Sequence, residues 1–145
     1  MIVIGIAGDH AGFHLKSIVF DHLKEKGYQV IDFGCNSDLS CDYTEFAHLL
    51  GKAIDNKLID FGFVFCGSGN GINITVNKHQ MVRSALCWSS EIASLSRHHN
   101  NANVCSLPAR FVTSDVAIDI VDTFLFEPFD GGRHLQRVLN IPIVI

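Results

Sequence analysis

A cysteine followed directly by a glycine-rich loop is the first candidate for chemistry in this 145-residue chain. Cys66 ends an apolar run, 61–65, and the residues after it are Gly67, Ser68, Gly69, Asn70 and Gly71. Three glycines in five residues allow a sharp turn that points several N–H groups inward. Those groups, with the positive end of a helix beginning near Ile72, favour a thiolate and a developing oxyanion. The segment predicts a nucleophile or base beside a cradle of amides; a small buried cysteine at a tight turn is the alternative.

Three known phosphate-binding loops do not match this segment. A P-loop ends in Gly-Lys-Ser/Thr, whereas this loop ends in Asn70-Gly71-Ile72. The dinucleotide fingerprint has the spacing Gly-x-Gly-x-x-Gly after a first strand, but the glycines here are residues 67, 69 and 71 and follow the third predicted strand. A tyrosine-phosphatase loop would have an arginine where Ile72 stands. The loop therefore matches none of the three.

A polar run between a predicted helix and a predicted strand offers a second kind of chemistry. It reads His98-His99-Asn100-Asn101-Ala102-Asn103. One histidine with an asparagine that orients its partner is typical of an acid or base. Adjacent histidines on a turn point apart, and no carboxylate or cysteine stands at ligand spacing, so we expect no metal there. An ordinary loop whose asparagines bond local backbone groups is the alternative.

Arginines in the C-terminal part of the chain indicate a binding site for an anion. Arg110, Arg133 and Arg137 are three of the chain's five arginines. Arg133 and Arg137 are four residues apart and share one face if that segment is helical. Because two guanidinium groups repel each other unless an anion lies between them, the pair suits a phosphate held by bidentate hydrogen bonds. A solvated basic surface near Asp130 is the alternative.

Four further side chains are ambiguous by themselves. Asp9 and His10 follow the first predicted strand, where aspartate often caps a helix and histidine can simply fill space. Tyr43 and Trp88 can stack on a sugar ring, although aromatic residues are more often part of a core. These residues gain a function only from a larger pattern.

The elements that position these residues alternate between strand and helix. Apolar, β-branched or aromatic runs predict strands at 2–7, 28–33, 61–65, 83–87 and 104–107. Helical spacing of apolar residues predicts the connecting helices, one capped by Asp42 and another by Ser89 or Ser90. This order predicts an α/β fold, a single three-layer αβα Rossmann-like domain over 1–145 with a five-stranded parallel sheet. Ligands of such folds bind beyond the carboxyl ends of the strands, which places along one edge Asp9-His10, Cys35, 66–71, Cys87-Trp88 and 107–110.

Composition excludes several classes of protein. A net charge of −4 without a long run of like charge excludes general nucleic-acid binding, and no apolar stretch is long enough to span a membrane. The five cysteines are an odd number without a Cys-x-x-Cys pair, so we expect free thiols in a reducing cytoplasm. The apolar tail 141–145 is predicted to pack on this chain or on a neighbour.

Together these segments resemble ribose-5-phosphate isomerase B and its sugar-phosphate isomerase relatives over nearly the whole chain. The resemblance is carried by Gly8-Asp9-His10-Ala11-Gly12, Cys41-Asp42-Tyr43, Cys66-Gly67-Ser68-Gly69-Asn70-Gly71, Asn77-Lys78, Arg83-Ser84-Ala85-Leu86-Cys87, His99-Asn100-Asn101-Ala102-Asn103-Val104 and Gly131-Gly132-Arg133-His134 with Arg137. Each piece is short, but their order and spacing together are specific.

The resemblance implies interconversion of ribose 5-phosphate and ribulose 5-phosphate through an enediolate, without metal or cofactor. Cys66 would move the proton between carbons 1 and 2. Ser68 would support the thiolate, at a position where many relatives have threonine, and the amides of 67–71 would stabilise the enediolate oxygen. His99 would open the furanose ring with help from Asn100.

The same resemblance implies how the rest of the sugar phosphate is held. Asp9 would relay a proton between the sugar oxygens, and Tyr43 would lie near the sugar. The phosphate would be bound by His10, Arg110, Arg133 and Arg137. The family builds its site from two subunits, which implies a homodimer or a pair of dimers, with the segment about 131–145 at the interface.

Two other functions remain open from the sequence. An isomerase of a six-carbon sugar phosphate, such as allose or galactose 6-phosphate, differs only in the length of its pocket. A non-catalytic sugar-phosphate or nucleotide sensor on the same fold needs neither a base nor a ring-opening group, so the presence of both Cys66 and His99 argues against it.

Overall fold

The computed structural model describes residues 1–144 as strands and helices in strict alternation until the last two helices. The strands are β1 (Val3–Gly8), β2 (Gln29–Asp32), β3 (Phe61–Cys66), β4 (Ser84–Leu86) and β5 (Val104–Pro108). The helices are α1 (Phe13–Glu25), α2 (Tyr43–Asp55), α3 (Asn70–Val76), α4 (Ser90–Asn100), α5 (Ser114–Phe126) and α6 (Arg133–Leu139). The strands form one parallel sheet in the order β2-β1-β3-β5-β4. The predicted α/β fold is confirmed.

The central strand β3 carries apolar side chains to both faces of the sheet, because side chains alternate along a strand. Phe63 and Phe65 pack with residues of α1, α4 and α5 in one buried cluster. Val64 and Cys66 pack with residues of α2 and α3 in the other. The Cys66 side chain therefore lies on the α2–α3 face of the sheet.

An ion pair between a buried lysine and a partly exposed aspartate holds the turn that follows β2. The Nζ of Lys16, whose side chain is 1% exposed, donates to both carboxylate oxygens of Asp32 at 2.7 and 2.6 Å. One of these oxygens also accepts from the N–H of Gly34 at 2.9 Å. The carbonyl of Gly34 then accepts from the N–H of Gly8 at 2.8 Å. The pair thus fixes the backbone beside the end of β1, directly before Asp9.

The helix caps confirm two predictions and correct a third. Asp42 caps α2 by accepting from the N–H of Thr44 at 2.9 Å, and Ser89 caps α4. However, the prediction of a loop from His98 onwards was wrong, because α4 continues to Asn100. The helix ends only at Asn101, whose φ of 47° is a left-handed conformation that asparagine tolerates.

The C-terminal segment is held loosely by the rest of the chain. Val138 alone is buried among the described residues of α6. In the tail, the side chain of Gln80 donates to the carbonyl of Ile143 at 2.8 Å, while Ile143 is 75% exposed. Packing of the tail on a neighbouring copy stays a prediction, and its last residue, Ile145, lies outside the described residues. Within 1–144, no helix is both long enough and apolar enough to cross a membrane.

Candidate active site

A cavity of about 670 Å³ opens at the carboxyl ends of β1 and β3. It is lined by Asp9, His10, Ala11, Cys41, Asp42, Tyr43, Cys66, Gly67, Ser68, Gly71, Arg110 and Phe111. Eight of these residues were predicted for the site from the sequence: Asp9, His10, Tyr43, Cys66, Gly67, Ser68, Gly71 and Arg110. Cys35, Cys87 and Trp88, expected at the same edge, are not part of its described lining.

The glycine loop wraps around the thiol of Cys66. Cys66 is the last residue of β3 and is 5% exposed. Its Sγ accepts from the N–H of Gly69 at 3.1 Å, and Gly69 has a φ of 75°, a left-handed conformation that glycine adopts without steric cost. The Oγ of Ser68 accepts from the N–H of Asn70 at 3.2 Å. The loop therefore orients the sulfur of Cys66 through the N–H of Gly69 and the hydroxyl of Ser68 through the N–H of Asn70.

These hydrogen bonds reduce the number of loop N–H groups that are free to bind a ligand. The N–H groups of Gly69 and Asn70 are occupied by acceptors inside the loop, Sγ of Cys66 and Oγ of Ser68. The N–H groups of residues 67, 68 and 71 have no acceptor among the described residues 1–144. The amides of residues 67, 68 and 71 are therefore the ones left free for a ligand, and the role of the 67–71 amides at an enediolate oxygen stays a prediction.

A second thiol, that of Cys41, lines the same cavity. Burial first, and the hydrogen-bonded thiol of Cys35 second, raise the pKa of Cys41 to about 11. A thiol with that pKa is protonated at neutral pH. Cys41 is therefore a poor base at neutral pH, although it lines the same cavity as Cys66.

Asp9 and His10 are both oriented by backbone amides. Asp9 is 7% exposed, and one of its carboxylate oxygens accepts from the N–H of Gly12 at 3.0 Å. The Nδ1 of His10 accepts from the N–H of Cys41 at 3.2 Å. Because Nδ1 is then an acceptor, the ring proton of the neutral imidazole lies on Nε2. His10 can thus donate a hydrogen bond through Nε2 to an anionic ligand.

Two glycines allow large side chains to approach the loop. A β-carbon at Gly71 would lie 2.5 Å from Cζ of Tyr43, so only glycine lets the Tyr43 ring pack there. A β-carbon at Gly67 would lie 3.3 Å from Nη1 of Arg110. The backbone N–H of Arg110 also donates to the carbonyl of Gly67 at 3.0 Å. Tyr43 and Arg110 are therefore held on either end of the glycine loop.

The remaining predicted residues lie elsewhere in this chain. A second cavity of about 340 Å³ is lined by His99, Asn100, His134, Arg137, Val138 and Ile141. The described linings of the two cavities have no residue in common. Arg133 is exposed at the start of α6 and lines neither of these two cavities. A single chain does not bring His99 or the α6 arginines to Cys66.

His134, which the sequence did not single out, lines the second cavity together with His99. Its ring stacks on that of His99, with centroids 4.5 Å apart and planes 13° from parallel. Burial lowers the pKa of His134, and the nearby His99 and Arg133 lower it further. The imidazole is therefore neutral at pH 7. His134 stands three residues before Arg137, and this spacing on a helix could have indicated that the two side chains share a face.

His99, His134 and Asp130 also place their donor atoms within 4.8 Å of one another, a spacing that a metal ion could use. A metal lies close to the plane of each imidazole that binds it. The nearly parallel, stacked rings of His99 and His134 do not let one ion lie in both planes. The carboxylate of Asp130 is also already hydrogen-bonded to His98 at 2.6 Å. This geometry does not support a shared ion.

His98 ties α4 to the segment that leads into α6. Its Nδ1 is 2.6 Å from a carboxylate oxygen of Asp130, and its Nε2 is 2.8 Å from one of Glu127. The backbone N–H of Asp130 donates to the carbonyl of His98 at 3.0 Å. Hydrogen bonds to Asp130 first and Glu127 second raise the pKa of His98 above its usual 6.5.

The hydrogen bonds of His98 to Asp130 and Glu127, here called the His98 clamp, should make the free energy of unfolding depend on pH. Because the pKa of His98 is raised in the folded state, its contribution is fully present below the unfolded value near 6.5 and is lost as the pH rises through the folded value. Replacing His98 with glutamine should therefore lower the melting temperature at about pH 6 and change it little at about pH 9. Thermal unfolding at both pH values measures this difference.

His14 offers a matched control for that measurement. Its side chain is 79% exposed and lies 3.7 Å from Asp38, a geometry in which an ion pair contributes little. His14→Gln should leave the melting temperature nearly unchanged at both pH values. An equal loss of stability in His98→Gln at about pH 6 and about pH 9 would contradict the charged clamp.

The sheet order and the cavity around the Cys66 thiol are those of an α/β enzyme, with a candidate ligand site at the carboxyl ends of parallel strands. The model of the ribose/galactose isomerase family matches residues 4–141, and the chain belongs to that family. A probable ribose-5-phosphate isomerase B of Mycoplasma genitalium is 45% identical over 95% of this chain and 92% of its own length. Ribose-5-phosphate isomerase B of Escherichia coli is 40% identical over 97% and 95%.

Solved structures of ribose 5-phosphate isomerases superpose on nearly the whole chain. The crystal structure of a ribose 5-phosphate isomerase from Thermotoga maritima superposes with a TM-score of 0.96, at 44% identity, over 99% of both chains. Ribose-5-phosphate isomerase B from Mycoplasma genitalium, crystallised with bound ribulose 5-phosphate, gives a TM-score of 0.91 at 44% identity over 97% of this chain and 93% of that one.

Proposed function

We propose that this protein is an aldose–ketose isomerase that interconverts D-ribose 5-phosphate and D-ribulose 5-phosphate through an enediolate, as a step of the pentose phosphate pathway. The observation that carries the proposal is the Cys66 thiol, hydrogen-bonded by Gly69 in a cavity it shares with Asp9, His10 and Arg110. Membership of the ribose/galactose isomerase family and the ribulose 5-phosphate bound to a relative support it.

Cys66 is the base that carries the proton between carbons 1 and 2. A carbon next to a carbonyl is a weak acid, so most of the barrier is lowered by stabilising the enediolate oxygen, at about 3–4 kcal/mol per well-placed donor. The amides of Gly67, Ser68 and Gly71 are the donors available in the cavity. Because the Ser68 Oγ accepts from Asn70, its own proton remains for the thiolate or the substrate.

The other groups open the ring and hold the phosphate. His99 opens the furanose with help from Asn100, and Asp9, whose second oxygen is free of the bond to Gly12, relays a proton between the sugar oxygens. The phosphate is bound by His10, Arg110, Arg133 and Arg137, and Tyr43 packs near the sugar. Binding the phosphate, which does not react, offsets the cost of orienting the open-chain sugar.

A second copy of the chain completes the site in this proposal, as a homodimer or a pair of dimers. The cavity that contains Cys66 and the cavity that contains His99 are separate within one chain. A sugar phosphate that needs both groups is accommodated if the His99 cavity of one subunit faces the Cys66 cavity of the other. The exposed Ile141 and Ile143 provide apolar surface next to the His99 cavity for such contact.

A reducing compartment such as the cytoplasm suits this chemistry. The proposed base is a free thiol, and the other four cysteines are free as well. Free thiols persist in reducing compartments and pair in oxidising ones. No metal or cofactor takes part in the proposed proton transfers.

An isomerase assay tests the function directly. Purified protein should convert ribose 5-phosphate to ribulose 5-phosphate, and ribulose 5-phosphate back, at the same rate with and without excess EDTA. Absence of turnover in both directions would refute the proposal. Turnover that EDTA abolishes would refute the metal-free chemistry.

A six-carbon sugar phosphate is the second candidate substrate, because the matching family includes galactose isomerases by its description. The exposed Phe111 is one of the residues that line the cavity. Comparing rates on ribose 5-phosphate, allose 6-phosphate and galactose 6-phosphate decides between them. A higher kcat/KM on either hexose phosphate would replace the five-carbon assignment.

A further inference from the structure

Ser106 is a buried hydroxyl next to the glycine loop that the proposed reaction does not use. It lies in the middle of β5, is 0% exposed, and pairs with Val64 of β3 and Leu86 of β4. Val104, two residues earlier and so on the same face, packs in the apolar cluster with α2 and α3. A hydroxyl on that face costs stability unless it has a partner.

The partner of Ser106 is the backbone of the glycine loop. Its Oγ donates to the carbonyl of Gly69 at 2.7 Å. The other donor to this carbonyl is the N–H of Asn73, at a longer 3.3 Å. Ser106 therefore makes the shorter of the two hydrogen bonds that hold this oxygen.

The carbonyl of Gly69 belongs to a peptide unit that is held at both edges. The same unit carries the N–H of Asn70, which donates to the Oγ of Ser68 at 3.2 Å. Directly before it, the N–H of Gly69 donates to the Sγ of Cys66 at 3.1 Å. Because a peptide unit is planar and rigid, fixing its oxygen also fixes the direction of its N–H and restricts the neighbouring Gly69.

We propose that Ser106 is a positioning residue for proton transfer. It holds the Gly69–Asn70 peptide in the orientation that directs the Gly69 N–H to Cys66 and the Asn70 N–H to Ser68. Ser106 itself is outside the described lining of the cavity, so it acts through the loop and not on the substrate. Its effect on turnover rests on the proposed function, whereas its effect on the reactivity of the thiol does not.

Ser106→Ala removes the Oγ of Ser106 and with it the hydrogen bond to the carbonyl of Gly69. A hydrogen bond of this kind corresponds to about a 3- to 10-fold change in rate, so kcat should fall by about that factor while KM stays within about twofold. In the absence of substrate, alkylation of Cys66 by iodoacetamide, followed by peptide mass spectrometry, should slow about threefold at about pH 7.

Two further variants separate positioning from stability. Ser84 lies on the neighbouring strand β4, and its Oγ is buried with no hydrogen-bond partner among the described residues. Ser84→Ala should leave kcat and the alkylation of Cys66 unchanged. Ser106→Thr keeps the hydroxyl and should restore the alkylation rate at about pH 7 to within about twofold of the unaltered protein.

The outcomes distinguish this inference from the proposed function. Equal alkylation of Cys66 at about pH 7 in Ser106→Ala and the unaltered protein overturns the positioning role, whatever the isomerase assay gives. A lower melting temperature with unchanged alkylation also overturns it, because that is the result of a purely structural hydroxyl. Slower alkylation in a protein that turns over no sugar phosphate supports the positioning role and refutes the proposed function alone.

Discussion

Replacing Cys66 with alanine should lower isomerisation of ribose 5-phosphate by roughly a thousandfold or more, since a positioned base contributes about 10²–10⁴ and no other ionisable thiol replaces it. The sulfur is the one group in the cavity that ends a buried strand and accepts a hydrogen bond from the loop. Exchange of the carbon-1 hydrogen of ribulose 5-phosphate with deuterated water should stop as well, because the same base removes the proton from carbon 2 of the aldose and from carbon 1 of the ketose. Coupled assay and proton NMR measure the two rates.

Cys41→Ser is the matched control for this experiment. Cys41 lines the same cavity, but burial and the Cys35 thiol raise its pKa to about 11, so it is uncharged at neutral pH. Its replacement should leave isomerisation within a few fold of the unaltered protein. If the Cys66→Ala protein still isomerises and the Cys41→Ser protein is inactive, the catalytic base is Cys41 and the assignment to Cys66 is refuted.

His99→Asn should separate ring opening from proton transfer. Isomerisation of ribose 5-phosphate, which is mostly a closed ring, should fall about 10²–10⁴-fold with loss of the acid or base. Ribulose 5-phosphate has no free hydroxyl that can close a furanose, so exchange of its carbon-1 hydrogen with solvent should continue. NMR of ribulose 5-phosphate in deuterated water, compared with the isomerase rate, measures the separation. Equal loss of both rates would contradict the assignment of ring opening to His99.

Mixing the two variants tests whether one site uses both chains. His99 and Cys66 lie in separate cavities of a single chain. If each site takes one residue from each subunit, mixed dimers of Cys66→Ala and His99→Asn contain one intact site, and activity should reappear after denaturation and joint refolding. Activity that stays absent in such mixtures would confine the site to a single chain.

The fold was predictable because its signals are local and agree with one another. The run 61–65 is apolar throughout, as a strand buried on both faces requires, and Asp42 and Ser89 stand where helices begin. The end of α4 was not predictable in the same way. The polar residues His98, His99 and Asn100 suit a loop by composition, yet hydrogen bonds continue the helix to Asn100, and only the left-handed Asn101 ends it.

The sequence indicated many of the residues that line the candidate site, but not that they are divided between two cavities. The rule for parallel sheets placed Asp9, His10 and Cys66 together correctly, because β1 and β3 are neighbours. No pattern along the chain could indicate that His99 lies in a separate cavity, since this depends on the docking of α6. Ser106 was also invisible, because a lone serine in an apolar strand carries no signal until its partner, the carbonyl of Gly69, is known.

The two halves of the proposed site differ in their resistance to local unfolding. Cys66 ends a strand that is paired on both sides, with Phe63 and Phe65 fully buried. Arg133 and Arg137 lie on α6, a seven-residue helix in which Val138 is the buried residue. Segments with few buried side chains open at a lower free energy than the whole domain. In a subunit separated from its partner, mild denaturant should therefore unfold α6, and with it release the two arginines proposed to bind the phosphate, while the sheet and its thiol remain folded.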